Sequence, residues 1–272
     1  MTEHDLRITL VGGPTAVLQT RGVRLLTDPT FDPPGGQYTS GPITLKKIAG
    51  PALKPDGIGH IDGVLLSHDQ HYDNLDHSGR EFLPQAGSVI TTPAGAQRLG
   101  RNAVGLKPWQ SMCLPNSSGH TLQITSTPAR HGPPGIEPIS GEVTGFVVAF
   151  ESNQRRGVYV SGDTVWFEGV KEVAQRFDIG VILLFMGAAR LKERGPAALT
   201  MTAADGIETA RAFPSATIVP VHYHGWAHFS ENRDDISNAF AKAGLSDRLR
   251  WLDPSQSVTL SVFSPEALGA RP

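Results

Sequence analysis

The alternation of apolar and polar positions divides this chain into short strands and helices arranged in two successive sets. Leu6-Arg7-Ile8-Thr9-Leu10-Val11 alternates with the period of a half-buried strand. Ala16 to Thr20 and Val23 to Leu26 flank Arg21-Gly22 and predict a hairpin, which Asp28-Pro29 ends. Asp28 is expected to hold a neighbouring loop by hydrogen bonds. A strand over Ile61 to Ser67 follows, then a short helix over Gly79 to Leu83, a strand over Ser88 to Thr92 and a helix over Pro93 to Leu99. Residues 103 to 130 hold two or three further strands, the last running from Thr121 toward His131. The second set begins with a hairpin of Thr144 to Phe150 and Gly157 to Val160, ending in Ser161-Gly162-Asp163-Thr164. Glu168 to Phe177 predicts a helix with Val170, Val173 and Phe177 on one face. Ile179 to Met186 is too continuously apolar to be half exposed. Thr202 caps a helix over 203 to 213 whose inward stripe is Ala203, Ile207, Ala210 and Phe213. Thr217 to Val221 is a strand that stops at His222, and Gly244 closes a helix over Asp234 to Ala243. Arg250 to Leu252 and Ser257 to Val262 read as terminal strands.

One segment departs from this pattern. Pro33-Pro34-Gly35-Gly36, Gly41-Pro42, Gly50-Pro51 and Lys54-Pro55-Asp56-Gly57 punctuate residues 31 to 60. Long irregular segments inside compact domains are usually functional. This one reads as a flap carrying Tyr38, Lys46 and Lys47.

Composition narrows the class. No repeat and no linker is visible, so 1–272 reads as a single domain, and 30 Gly with 21 Pro predict a loop-rich body. A net charge of −2 gives no basic footprint for nucleic acid or a membrane surface. Cys113 is the only cysteine, which excludes an internal disulfide and argues against thiolate metal sites. The opening Met1-Thr2-Glu3-His4-Asp5 lacks a signal pattern, and no apolar run approaches the ~20 residues of a membrane span. A soluble, cytoplasmic protein is expected.

The chemistry concentrates in Ser67-His68-Asp69-Gln70-His71-Tyr72-Asp73-Asn74-Leu75-Asp76-His77, directly after Val64-Leu65-Leu66. A strand ending in such a cluster delivers imidazole nitrogens and carboxylate oxygens to one point, as a metal site requires. His131, Asp163 and His222 repeat the context, each just past a strand. Asp69 and Asp76 are expected to orient imidazoles or cap the next helix, and His4, His60 and His120 to lie on the surface.

This order of motifs resembles the metallo-β-lactamase superfamily over essentially the whole chain. The resemblance implies an α+β, four-layer αββα sandwich, two mixed sheets flanked by helices, with its ligands on loops at one edge. "Leu-Leu-Ser-His-Asp", "Ser-Gly-Asp-Thr" and "Val-Pro-Val-His" look like the branch of ascorbate-6-phosphate lactonase and the N-acyl-phosphatidylethanolamine-hydrolysing phospholipases D. The family pattern His-x-His-x-Asp-His is altered here: Gln70 is inserted, and Asn74 stands at the last histidine. With the insertion, His68, His71 and His131 map to the first metal. Asp73, Asp163 and His222 map to the second, with Asp163 as a candidate bridge. An ungapped alignment would put Gln70 at the second histidine; the gapped one keeps three ligands and the Tyr-Asp pair. An amide is a poor zinc ligand beside imidazole, so the second site is weak, empty, or completed by His77, His224 or His228.

The implied activity is hydrolysis of an ester, lactone or phosphodiester bond in a small substrate by metal-activated water. The cofactor is one or two divalent ions, zinc foremost, with manganese or iron as alternatives. Asp73 would orient the nucleophile, and His224 or His228 would stabilise the oxyanion. Arg190, Lys192 and Arg194 could take an anionic group, and specificity would sit in loops 31 to 60, 132 to 141 and 187 to 201. Another class of reading is a non-catalytic, metal-stabilised binding module with a degenerate second site. Di-iron redox chemistry would call for a flavin-binding partner domain that this length lacks. Self-association into a homo-oligomer is open.

Overall fold

The computed structural model describes residues 5–115, 121–150 and 153–262; His4 and His120 lie outside them. The first half supplies β1 (Asp5–Gly12), β2 (Thr15–Thr20), β3 (Val23–Thr27), β4 (Gln37–Ser40), β5 (Ile43–Lys46), α1 (Pro55–Ile58), β6 (Gly63–Leu65), α2 (His77–Phe82), β7 (Ser88–Thr91), α3 (Pro93–Leu99) and β8 (Ala103–Gly105). The second supplies β9 (Ser111–Pro115), β10 (Thr121–Pro128), α4 (Glu137–Ser140), β11 (Thr144–Phe150), β12 (Asn153–Val160), α5 (Glu168–Arg176), β13 (Asp178–Phe185), α6 (Ala203–Ala212), β14 (Thr217–Val221), α7 (Arg233–Lys242) and β15 (Ser257–Ser261).

Two mixed sheets form. One runs β15-β1-β2-β3-β6-β7-β8 and the other β14-β13-β12-β11-β10-β9. In the first, β3, β6, β7 and β8 are parallel; in the second, β12, β13 and β14 are. Leu6, Ile8, Leu18 and Leu25 face Ile124, Phe146, Val160 and Leu183 in a dry layer between the sheets. Each such side chain contributes about 1.5–3 kcal/mol by leaving water. The outer face of the second sheet packs Tyr159, Ile182 and Leu184 against α5, α6 and α7 through Val170, Ala210 and Phe240. The outer face of the first packs Val17, Val64 and Leu66 against Phe82 of α2 and Leu83 beyond it. These layers are the αββα sandwich that the resemblance implies.

Local chemistry sets the helix ends. Thr202 Oγ1 accepts from Asp205 N while Asp205 accepts from Thr202 N, a capping box that starts α6. Asp76 caps α2 by accepting from Gly79 N at 2.8 Å.

Three expectations change. Residues 31 to 60 are not irregular throughout: β4 and β5 form an antiparallel hairpin. Only Tyr38 and Leu45 of these two strands are buried, so their sequence carries no alternating signal. Arg250 to Leu252 forms no strand; a single bridge, Ile218 to Leu249, stands there instead. The helix expected from Gly79 starts two residues earlier, at His77.

Strand direction positions the chemistry. Val160 pairs with Leu183 and Phe185 with Val221 in parallel register, so β12, β13 and β14 end at one edge. β10 runs the same way, two antiparallel steps from β12. Residues just past these strands therefore meet at the carboxyl edge of the sheet, where open α/β sheets place their ligands.

Candidate metal centre

His68, on the tip that follows β6, is fully buried. Its Nδ1 lies 2.9 Å from Ser67 Oγ, and Ser67 Oγ and N both donate to Asp28 at 2.6 Å. A carboxylate that accepts the hydrogen bond from the Ser67 hydroxyl leaves the serine oxygen to accept from His68 Nδ1–H. His131, past β10, donates Nδ1–H to the carbonyl of Leu199 at 2.8 Å, since a carbonyl can only accept. Both rings are thus fixed as tautomers with their Nε2 lone pairs facing inward.

Those lone pairs meet His71. Its Nδ1 lies 2.8 Å from His68 Nε2 and 3.2 Å from His131 Nε2. Two nitrogens bound to one tetrahedral zinc stand about 3.3 Å apart, given Zn–N of roughly 2.0–2.1 Å. Burial, and then the charge each neighbouring ring would carry, drives His68 well below the usual imidazole range and His71 to about 4. Three imidazoles converging on one point form a cation's donor set.

A second group adjoins the first. Asp73, Asp163 and His222 bring one ligand atom each to within 4.8 Å of one another, as His68, His71 and His131 also do. Asp163 spans both: Oδ1 is 3.4 Å from His222 Nε2 and Oδ2 is 3.7 Å from His131 Nε2. His222 Nε2 is also 3.6 Å from Asp73 Oδ2. These approaches exceed hydrogen-bond length. Both carboxylate oxygens of Asp163 and both ring nitrogens of His222 are buried with no hydrogen-bond partner. Leaving such atoms unpaired costs about 1–3 kcal/mol each, and more when charged. A bound divalent cation would satisfy them, so the residues present fit the metal.

Electrostatics agree. Burial would raise Asp163, but the His222 charge beside it holds it well below the carboxylate range. Burial would lower His222, but Asp163 and Asp73 push it up to about 10. Burial would raise Asp73, yet the His222 and His228 rings hold it far down.

Backbone conformation pins two of these strand tips. His222 sits at φ 55, the left-handed region that a β-carbon disfavours. Gly162 sits at φ 59, and a β-carbon there would stand 2.5 Å from Thr144 O and 2.8 Å from Ser67 Cβ. Glycine at 162 lets the tip carrying Asp163 touch the tip carrying His68.

The cluster opens on a cavity of about 330 Å³ that reaches His71, Asp73, His131 and His228. All three expected specificity loops line it, through Tyr38 and Leu45, Ile136 and Ile139, and Leu191 and Leu199.

A family model described as the Beta-lactamase superfamily domain matches residues 23–223. The chain belongs to that superfamily. The match encloses every residue of both ligand groups. Among proteins that this beta-lactamase superfamily member resembles is the UPF0173 protein YddR of Bacillus subtilis. The two are 24% identical, over 93% of this chain and 100% of YddR. The N-acyl-phosphatidylethanolamine-hydrolyzing phospholipase D 1 of Caenorhabditis elegans is 27% identical, over 66% of this chain and 54% of its own length. An isothiocyanate hydrolase from Delia radicum gut bacteria shares the fold, with a TM-score of 0.78 and 22% identity over 94% of this chain and 99% of its own.

Other residues fall in different places from those expected. His224 lines a separate cavity of about 120 Å³ with Gly13, Lys47 and Trp226, away from the cavity over the cluster. His77 packs against Tyr38 and Tyr72. Of the three candidates to complete the second group, His228 is the one that contacts it, with Nε2 3.0 Å from Asp73 Oδ2. Sequence spacing alone cannot choose between 224 and 228, because both lie in an irregular loop. Asn74 donates to Asp28 at 2.9 Å, as Ser67 does, so Asp28 ties both ends of the ligand loop together. Gln70 turns away, to the Glu142 carbonyl at 3.3 Å, and His71 faces the cluster as the gapped alignment implies. Asp69 orients no imidazole; Arg98 grips it, with Nε 2.9 Å from Oδ2. Lys47 is buried and pairs with Asp76 at 2.6 Å, Tyr38 donates to Asp32 at 2.9 Å, and Lys46 is exposed. The first two anchor the hairpin, and Tyr38 also lines the cavity. His60 is exposed, as expected.

Proposed function

We propose that this chain is a metal-dependent hydrolase that cleaves an ester, lactone or phosphodiester bond of a small substrate. The observation that carries the reading is the pair of candidate ligand groups, adjoining at Asp163, with His71, His131 and Asp73 open to one cavity. Similar proteins of the UPF0173 series carry the name metal-dependent hydrolase. His68, His71 and His131 hold one divalent cation; Asp73, Asp163 and His222 hold a second. Nitrogen and carboxylate donors suit zinc, with manganese or iron as alternatives. When bound, such ions supply hydroxide near neutral pH and a Lewis acid for the scissile bond.

The chain's own groups do the rest. Asp73 accepts a hydrogen bond from the attacking water and aligns it, while His228 Nε2, 3.0 Å away, holds that carboxylate in place. His228 also borders the cavity. Asp28, through Ser67, keeps the lone pair of His68 turned inward. His224 takes no part.

The test is elemental analysis with turnover. The purified protein should carry one to two equivalents of metal and hydrolyse at least one of a generic ester, a lactone and bis-p-nitrophenyl phosphate. His68→Ala and His131→Ala should each lose most of the metal, and Asp76→Ala should retain it. Unchanged metal in both histidine variants overturns the site, and bound metal without turnover overturns the hydrolase reading.

A further inference from the structure

We propose that Arg194 selects substrates carrying an anionic group at the end of an apolar body, remote from the scissile bond. The inference rests on the hydrolase reading above and specifies its substrate class.

The cavity over the ligand groups is apolar on three sides. Ile43 and Leu45 come from the hairpin, Ile136 and Ile139 from the start and middle of the α4 segment after β10, and Leu191 and Leu199 from the loop after β13. Ile139 is 55% exposed, one of the few large apolar side chains left to water. A substrate's hydrocarbon portion would cover it. Two guanidinium groups join this lining, Arg98 and Arg194. Arg98 is neutralised by a two-pronged grip on Asp69, with Nη2 2.5 Å from Oδ1 and Nε 2.9 Å from Oδ2. Arg194 is half-buried, and among the described residues no carboxylate pairs with it; its one contact is a long 3.5 Å approach of Nη2 to the Ile139 carbonyl.

The other cations of the same loop are unavailable or turned away. Arg190 donates to the Pro196 carbonyl and to Ser230 Oγ, and Lys192 is exposed outside the lining. Asp73, the carboxylate in the lining, is held by His228 and His222. A free guanidinium at the rim of an apolar cavity matches a carboxylate or phosphate at the far end of a short chain, through charge-assisted hydrogen bonds. The cavity volume of about 330 Å³ lies at the small end of ligand sites and fits a short body rather than a long one.

Two esters of equal length separate charge from shape: p-nitrophenyl hexanoate, and the mono-p-nitrophenyl ester of adipic acid. The zinc-loaded protein should prefer the adipate ester by roughly tenfold in kcat/KM, the scale of one charge-assisted contact at a partly exposed site. Arg194→Gln should erase the preference by raising KM for the adipate ester alone, and Arg194→Lys should restore part of it. An equal loss on both esters in Arg194→Gln would make Arg194 a clasp between two loops and overturn the proposal, as would an undiminished preference. If neither ester is turned over, the hydrolase reading fails on these substrates, and calorimetry decides the arginine separately. Adipate should then bind several-fold more tightly than hexanoate to the wild-type protein but not to Arg194→Gln; equal binding in both proteins overturns the assignment.

Discussion

Replacing Gly162 by alanine asks whether the two halves of the ligand set meet by close backbone approach. Two costs arise. At φ 59, a side chain pays about 1–2 kcal/mol for the left-handed conformation. The added methyl group would stand 2.5 Å from Thr144 O and 2.8 Å from Ser67 Cβ. Backbone must shift to relieve that, at about 1–3 kcal/mol, the usual cost of overpacking. Together these give roughly 2–5 kcal/mol, or about 4–20 °C in Tm at 2–4 °C per kcal/mol for a chain of this size. Gly244, which follows α7, is the matched control. It has φ 71, and no atom lies within 4 Å of where its β-carbon would stand, so Gly244→Ala incurs only the conformational part. Thermal melts of both variants isolate the steric part, expected at about 1–3 kcal/mol. Because the methyl group pushes Ser67 away from Asp163, bound metal should fall in Gly162→Ala and not in Gly244→Ala. Equal destabilisation with full metal content in both would refute the claim that this contact assembles the centre.

Three further outcomes follow from the same geometry. Asp76→Ala leaves Lys47 buried without its partner and removes the α2 cap, so it should destabilise by about 3–5 kcal/mol in chemical denaturation; adding Lys47→Met should recover part of that loss, and no recovery would refute the pairing. After chelation with EDTA, stability should fall as pH drops from about 6.5 to 4. The unfolded chain protonates its histidines near 6.5, whereas His71 in the fold resists until about 4. His222 runs the other way: its folded value near 10 exceeds the unfolded one, so its contribution is complete below about 6.5 and lost as pH rises through 10. Urea titrations of the stripped protein across pH check both signs. Asp28→Ala should weaken metal binding by about 10- to 100-fold in competition with a chelating dye, since it frees Ser67 and with it the tautomer of His68.

The sequence by itself identified the candidate ligands. Imidazoles and carboxylates placed just past apolar runs are a local signal, because strand ends deliver side chains to an edge whatever the topology. The same holds for the apolar period of α5 and α6 and for the capping threonine at 202. Only the tertiary structure decided which neighbours those ligands share. That Asp163 spans both groups, that Asn74 turns to Asp28, and that His228 rather than His224 reaches Asp73 depend on where distant strands end. Residues 31 to 60 behave in the same way: a hairpin with two buried side chains leaves no periodic trace, and Lys47, just past it, is buried against a partner 29 positions away. Strand order and register are long-range properties, and no window of neighbouring residues contains them.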